Sequence, residues 1–213
     1  MADTVDDLNT ALRGLIDAVR TADLEGVDVS SPVRSIRALT DDLAPHRVDG
    51  IRMQAGLRMD QVAAGQTIPM EGREMVDPVA FFPYSPVVGR RNPISPPATF
   101  RRVDGEHGYE IHGDAELGAA YNGPPGSVHG GIIALVFDEL LGCVCVSNGL
   151  GGFTGTLTVI YRNLTPLEAP LTLRGWHDRT EGRKIFAKGT LHHGDTLCAE
   201  AEGIFIRSEM DPR

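Results

Sequence analysis

The stretch Gly123–Gly131 reads GPPGSVHGG and runs directly into Ile132–Glu139, IIALVFDE. The apolar segment from His129 to about Val146 is long enough for a helix, and the glycines at its start leave backbone N–H groups approachable. Such N–H groups and the helix dipole favour negative charge, which suits the oxyanion of a reacting carbonyl. The same glycines also fit a tight turn into the helix, so both interpretations stay open.

Asp138 lies in the middle of this helix, beside the small residues Ala134, Gly142 and Cys145 on a helical wheel. A buried carboxylate is costly unless it is paired. We therefore expect either a functional group that faces a close partner or a structural Asp bound to an arginine or to backbone N–H groups. Glu139 points to another side of the helix, and we interpret it as structural.

The spacing of His129 and Asp138 constrains the assembly. Nine residues correspond to about 13 Å along a helix and about 180° around it. One chain can hardly bring both residues to one small reacting group, whereas two chains related by a two-fold axis can. The spacing therefore predicts a site shared across a dimer, with the helix start from one subunit and Asp138 from the other.

The sequence on both sides of the helix is typical of antiparallel strands. We predict strands at 99–103, 109–117, 154–162, 171–178, 184–192 and 196–207, with turns at 121–127 and 193–195. Two short strands, one long apolar helix and four further strands predict an α+β domain over residues 98–213, in which the sheet wraps the helix.

Residues 1–77 form an N-terminal helical extension in this interpretation. Apolar residues recur at helical spacing between Leu8 and Val19. Ser31 followed by Pro32 is typical of the start of a second helix, which Pro45 ends. We expect these helices to pack on the outside of the sheet, and a lid over a substrate channel is the functional alternative.

Residues 78–97 contain six prolines. Proline disrupts long helices and central strands. We therefore predict that this stretch is an extended connector on the surface of the main domain.

Composition excludes several classes of function. The 213 residues include 20 basic and 29 acidic side chains, and a net charge of −9 argues against a nucleic-acid partner. The acidic start fits no secretory or mitochondrial leader, and the apolar runs are too short to span a membrane. Three cysteines without a CxxC pair predict reduced thiols in a cytoplasmic protein. The histidines and cysteines lack the spacing of a metal site, and no Gly-x-Ser-x-Gly elbow of a serine hydrolase occurs.

The combined motif Gly-Pro-Pro-Gly-x-Val-His-Gly-Gly, with an Asp nine residues after the His, is similar to hotdog-fold acyl-CoA thioesterases of the PaaI and THEM type. In that fold a curved antiparallel sheet wraps a central helix. The resemblance extends to Thr154, seven residues before Tyr161, and to residues 161–167, 181–186 and 199–206. It covers about residues 93–207.

The resemblance also implies roles for individual residues. Asp138 resembles the catalytic carboxylate, acting as general base on water or as nucleophile. Gly130 and Gly131 resemble the oxyanion-hole backbone, and His129 resembles the histidine that helps to hold the thioester end. Thr154 resembles the hydroxyl residue that orients water or the acid.

Three further residues are candidates for substrate binding. Asn122 is near the position where some relatives carry an amide side chain. Arg183 and Lys184 are candidates for contacting the phosphates of coenzyme A, and a simple surface pair is the alternative.

The function that the resemblance implies is hydrolysis of medium- to long-chain fatty acyl-CoA by a homodimer or a dimer of dimers, without a metal or redox cofactor. One alternative is a non-catalytic dimer that binds acyl-CoA, and another is a hotdog enoyl-CoA hydratase or dehydratase.

Overall fold

A six-stranded sheet and one long helix form the main domain in a computed structural model, which describes residues 4–50, 52–55, 75–106 and 108–207. The helices are α1 (Val5–Thr21), α2 (Ser30–Leu43), the short α3 (Pro78–Phe81) and α4 (Gly130–Ser147). The strands are β1 (Thr99–Gly105), β2 (Gly108–Ala115), β3 (Phe153–Tyr161), β4 (Leu171–Glu181), β5 (Lys184–His193) and β6 (Thr196–Ile206). The six expected strands and the central helix are confirmed, and no end shifts by more than three residues.

The strand order explains how the helix comes to lie against the sheet. The order is β1-β2-β4-β5-β6-β3, and every neighbouring pair is antiparallel. Because β2 and β3 lie far apart in the sheet, the chain must cross the sheet between them, and α4 makes that crossing. This arrangement confirms the expected α+β hotdog fold and leaves β3 at an open edge.

Most of the surface of α4 is buried. The residues of α4 that are less than one tenth exposed are Ile133, Val136, Phe137, Glu139, Leu140, Leu141, Cys143, Val144, Cys145, Val146 and Ser147. The uninterrupted apolar runs are too short to span a membrane, but α4 as a whole is long and apolar enough to do so by length and composition. Its burial inside the domain accounts for that composition. One line of α4 residues stays at least partly accessible, namely Gly131, Leu135, Asp138 and Gly142, and we call it the exposed stripe.

Three glycines allow the sheet to approach α4 closely. A Cβ atom at Gly175 of β4 would lie 3.0 Å from Leu140 Cγ, and one at Gly189 of β5 would lie 3.1 Å from Leu140 Cδ2. A Cβ atom at Gly203 of β6 would lie 3.0 Å from Leu141 Cδ1. Side chains at these positions would hold the helix away from the sheet.

The proline-rich connector differs from the expectation of a surface segment. Val87 and Val88 are fully buried and belong to the same apolar core as α4. Ser85 Oγ accepts hydrogen bonds from both of their N–H groups, at 3.0 and 3.2 Å. Prolines prevent a regular strand here, but a side chain that satisfies the backbone makes burial possible.

We expect the N-terminal helices to pack on the outside of the sheet, but α1 packs on this connector instead. Arg13 of α1 donates hydrogen bonds to the carbonyls of Arg90 and Asn92, at 3.2 and 3.1 Å. Arg91 pairs with Asp6 at 3.2 Å. The extension is therefore joined to the domain through residues far away in sequence.

Helix α2 begins earlier than the sequence indicates and contains no buried residue. Its N-cap is Val29, so Ser31 lies inside the helix and Pro32 is its third residue. The helical character expected for residues 56–74 lies outside the described residues. The boundaries 1–77, 78–97 and 98–213 remain predictions.

Replacing Gly189 tests the close approach of the sheet to α4. Gly189→Val would place methyl groups against the two leucines of α4 and against a backbone oxygen that lies 3.1 Å from the Cβ position. We expect the free energy of unfolding to fall by about 1–3 kcal/mol, as for overpacked cores.

Two variants serve as controls, and denaturant melts measure all three. Thr190→Val changes the neighbouring residue on the opposite face of β5 and should alter stability little. Gly14→Ala, in α1 with no atom within 4 Å of the new methyl group, should stabilise by about 0.5–1 kcal/mol. Wild-type stability of Gly189→Val would contradict the packing argument.

Candidate active site

The start of α4 is held by two side-chain hydrogen bonds. His129 is the N-cap residue, and its Nδ1 accepts the Gly131 N–H at 3.0 Å. Tyr161 Oη donates to the Gly130 carbonyl at 2.8 Å. The loop before the helix also passes close by, since a Cβ at Gly123 would lie 2.6 Å from His129 Cα. We call His129, Gly130, Gly131 and Tyr161 the helix-start half-site.

The His129 cap has a consequence for the expected oxyanion role. In this structure the Gly131 N–H is already used by an imidazole nitrogen, so it can bind a substrate oxygen only after the ring turns away. The His129 side chain is exposed, and such side chains change rotamer on short timescales. The structure therefore shows the capped turn, and the oxyanion role of the glycines remains a prediction that requires the His129 ring to move.

Asp138 is half-buried, whereas the sequence indicated a carboxylate deep within the helix packing. Thr154, at the start of β3, donates its hydroxyl to Asp138 Oδ1 at 2.8 Å. The arginine or backbone pairing considered as a structural alternative is not among the hydrogen bonds of Asp138 in the described part of the chain. We call Asp138 and Thr154 the carboxylate half-site.

The two half-sites are separate within one chain. Gly131 and Asp138 both belong to the exposed stripe, but seven residues of helix place them about 10 Å apart along the axis. A thioester group is too small to contact both. The structure thus brings together the residues of each half-site and does not bring the two half-sites together.

Glu139 is the deeply buried carboxyl group of α4. It is 9% exposed, and within the described residues its Oε1 has no hydrogen-bond partner. Burial raises the pKa of this carboxyl group, and the charge of Asp138 adds to the rise, while a hydrogen bond with Ser85 opposes it. Burial therefore stabilises the neutral acid of Glu139 relative to its carboxylate, and the structural role expected for Glu139 remains a prediction.

Asn122 is occupied within its own loop. Its amide nitrogen donates to the carbonyls of Pro124 and Ser127 at 3.1 and 3.3 Å, and its Oδ1 accepts from Arg20 of α1 at 3.5 Å. These bonds hold the turn that leads to His129. In this structure Asn122 shapes the helix start and does not extend an amide into it.

Arg183 and Lys184 lie at the hairpin between β4 and β5. Arg183 donates to the Arg207 carbonyl at 3.2 and 2.9 Å. Lys184 pairs in register with Ile206, and Ile206 pairs with Phe153. The hairpin therefore lies at the end of the sheet where β3 begins, close to Thr154.

Tyr161 lies within the matched motif, but the sequence pattern assigns it no role. The seven-residue spacing between Thr154 and Tyr161 is the sequence signal that could have indicated a role for Tyr161. Both residues lie on β3, with Thr154 at the carboxylate half-site and Tyr161 at the helix start. Only the observed path of β3 beside α4 reveals that the hydroxyl fixes Gly130.

The cysteines offer no nucleophile. All three are unpaired and buried, and burial raises the pKa of Cys145 to about 12. Within the described ranges, no group of three or more His, Cys, Asp and Glu side chains is placed to hold a metal ion.

Comparison with known proteins adds family information to this geometry. No protein-family model matches the chain. Acyl-coenzyme A thioesterase THEM4 of Mus musculus is 35% identical over 97 residues, which are 45% of this chain and 41% of that protein. Acyl-coenzyme A thioesterase THEM5 of Homo sapiens is 29% identical over 96 residues, 44% of this chain and 39% of that protein.

A solved structure of a thioesterase superfamily protein superposes with a TM-score of 0.78 at 29% sequence identity. The superposition covers 97% of this chain and 92% of that one, so it includes the N-terminal helices. The chain spans about two fifths of the length of the curated relatives it matches. The resemblance to hotdog-fold acyl-CoA thioesterases is confirmed.

The buried carboxyl group of Glu139 makes a pH-dependent contribution to stability. Because its folded-state pKa lies above the ordinary value of 4.5, this contribution is full below pH 4.5 and is lost as the pH rises through the folded-state pKa. Glu139→Gln keeps the shape and stays neutral. Near pH 4 we expect the variant and the wild type to have the same melting temperature. Near pH 8 we expect the melting temperature of the variant to be higher than that of the wild type.

Asp195→Asn, in the exposed turn between β5 and β6, controls for the loss of one negative charge from an acidic chain. Melting curves over this pH range measure all three proteins. If Glu139→Gln melts below the wild type near pH 8, Glu139 is ionised and paired in the folded state.

Proposed function

We propose that this chain, a hotdog-fold relative of the acyl-CoA thioesterases, hydrolyses fatty acyl-CoA to the free fatty acid and CoA. The observation that carries the proposal is the Thr154–Asp138 hydrogen bond of 2.8 Å on the exposed stripe of an otherwise buried helix. A carboxylate that is both oriented and accessible is suited to act on a substrate. The names of the curated relatives, acyl-CoA thioesterases, support the same reaction.

The chemistry follows from the two half-sites. Asp138 removes a proton from water as the water oxygen attacks the thioester carbon, or its own oxygen attacks that carbon and water then hydrolyses the anhydride. Thr154 holds the carboxylate in place. The carbonyl oxygen gains charge at the N–H groups of Gly130 and Gly131, and CoA leaves as the thiolate and takes up a proton. A general base contributes roughly 10²–10⁴ in rate and an oxyanion donor roughly 10²–10³.

A second copy of the chain completes the site in this proposal. The half-sites lie about 10 Å apart in one protomer, and a two-fold axis brings the helix start of one chain to Asp138 of the other. Two accessible surfaces support such a contact, namely the exposed stripe and the open edge of β3. That edge carries apolar side chains, with Phe153 75% and Tyr161 51% exposed. A homodimer or a dimer of dimers fits both surfaces.

The remaining parts of the proposal concern the substrate and the compartment. Arg183 and Lys184, at the end of the sheet near Thr154, bind the phosphates of coenzyme A. The acyl group is a medium or long fatty chain. The chain works in the cytoplasm, and the absence of paired cysteines among the described residues is compatible with a reducing compartment.

Thiol release from a panel of acyl-CoAs separates the proposal from its alternatives. Release of CoA supports hydrolysis. A change in enoyl-CoA absorbance without thiol indicates a hydratase, and binding without either signal indicates a sensor. Either of these two results, hydration without thiol release or binding without any reaction, would overturn the proposal.

Asp138→Asn tests the carboxylate directly. The change keeps the size and removes the basicity, so kcat for thiol release should fall by at least about 100-fold. Binding of acyl-CoA should persist because the helix start is unchanged. Glu139→Gln is the matched control next to it, and we expect near wild-type turnover. Wild-type kcat in Asp138→Asn would refute the mechanism, and a large loss only in Glu139→Gln would identify the other carboxylate.

Subunit exchange tests the shared site. Gly131→Pro removes the N–H donor at a position in the first helical turn, where proline is tolerated, and melting curves verify its fold. Alone, it and Asp138→Asn should each be inactive. After exchange in equal amounts, half of the dimers are mixed and each has one intact site, so about one quarter of wild-type activity should return. Mixed dimers detected by native mass spectrometry without activity would contradict the shared site.

A further inference from the structure

An apolar cavity lies between the N-terminal extension and the start of α4. Its volume is about 390 Å³, and its apolar lining comes from Ile16 of α1, Ile94 of the connector, Tyr121, and Ile132 and Leu135 of α4. The connector prolines 86, 93 and 96 complete the wall. Ionisable side chains at the cavity come only from Arg13, Asp17, Glu116 and Tyr121 among its described lining residues.

The cavity adjoins the helix-start half-site. Ile132 directly follows Gly131, and Leu135 is the next residue of the exposed stripe, about 6 Å further along the helix axis. On the other side, the carbonyl of Tyr121 accepts the His129 N–H at 2.9 Å. A group bound at the Gly131 N–H therefore has an apolar space beside it.

A second apolar crevice lies beyond Ile16. It has a volume of about 460 Å³, lies between α1 and α2, and is lined by Leu15, Ile16, Val19, Arg20 and Ile36. Ile16 belongs to the lining of both spaces. Ile16 is thus the residue that the cavity and the crevice share.

We infer that the cavity receives the acyl chain of the substrate and that Ile16 sets the chain length by closing its far end. The inference rests on the proposed function and assigns the extension a part in specificity. At about 30 Å³ for each water-sized unit, which is close to the size of a methylene group, the cavity of about 390 Å³ has room for about thirteen carbons. A longer chain must displace Ile16 and continue into the crevice.

The identity of the lining favours an acyl chain as the occupant. Burying apolar surface is worth about 0.8 kcal/mol for each methylene group, and the side chains around the cavity are mainly aliphatic. The Tyr121 hydroxyl donates a hydrogen bond to the Ile94 carbonyl at 2.8 Å, so the ring of Tyr121 is the part that lines the cavity. The polar thioester end then remains at the helix start.

Substitutions at Ile16 test the inference through the chain-length profile. Ile16→Trp should lower kcat/KM for palmitoyl-CoA by at least about tenfold and leave butyryl-CoA nearly unchanged. Ile16→Ala should open the cavity toward the crevice and raise kcat/KM for palmitoyl-CoA relative to octanoyl-CoA. Ile94→Trp, on the opposite wall, should also penalise the long chain. Val5→Trp adds the same bulk to α1 away from the cavity and should leave the profile unchanged.

A binding measurement separates this inference from the proposed function. Thioether analogues of butyryl- and palmitoyl-CoA cannot be hydrolysed, and calorimetry gives their Kd for each variant. If the wild type releases no thiol but Ile16→Trp weakens only the palmitoyl analogue, the pocket stands and the thioesterase proposal fails. The wild type could be active while neither Ile16→Trp nor Ile94→Trp changes the chain-length profile or the Kd of the analogues. In that case the acyl chain lies elsewhere and the inference fails.

Discussion

The close packing of α4 against the sheet is the constraint on which the rest of the structure depends. Strands β4, β5 and β6 each present a glycine to the helix, and these positions leave space for Leu140 and Leu141. The helix is therefore buried over most of its circumference, and the exposed stripe is among the parts that stay accessible. Since a side chain must be accessible to contact a ligand, the burial of the other faces limits where a site on this helix can lie.

Rotation by one residue around α4 separates two chemically similar carboxyl groups. Asp138 falls on the exposed stripe and is oriented by Thr154, whereas Glu139 turns inward, next to Ser85 of the connector. Burial favours the neutral acid at Glu139. Adjacent positions thus carry one accessible carboxyl group and one that belongs to the core.

The connector and helix α1, which lie outside the hotdog sheet, are joined to the main domain by core packing and by hydrogen bonds. The connector contributes Val87 and Val88 to the core and holds α1 through the carbonyls of Arg90 and Asn92. Helix α1 in turn closes one side of the apolar cavity beside the helix start. Packing of the core, placement of the extension and the wall of this cavity are linked through this one connector.

The sequence by itself determined the strands, the central helix and its start at the glycines, because these features depend on periodicity and on neighbours within a few residues. Only the tertiary structure decided the burial of Val87 and Glu139, the place of α1 and the role of Tyr161. Each of these depends on contacts between segments far apart in the chain; Arg13 and Asn92 are 79 residues apart. Local patterns carry no information about which distant segment covers a given face, because that choice depends on how all the apolar surfaces pack together.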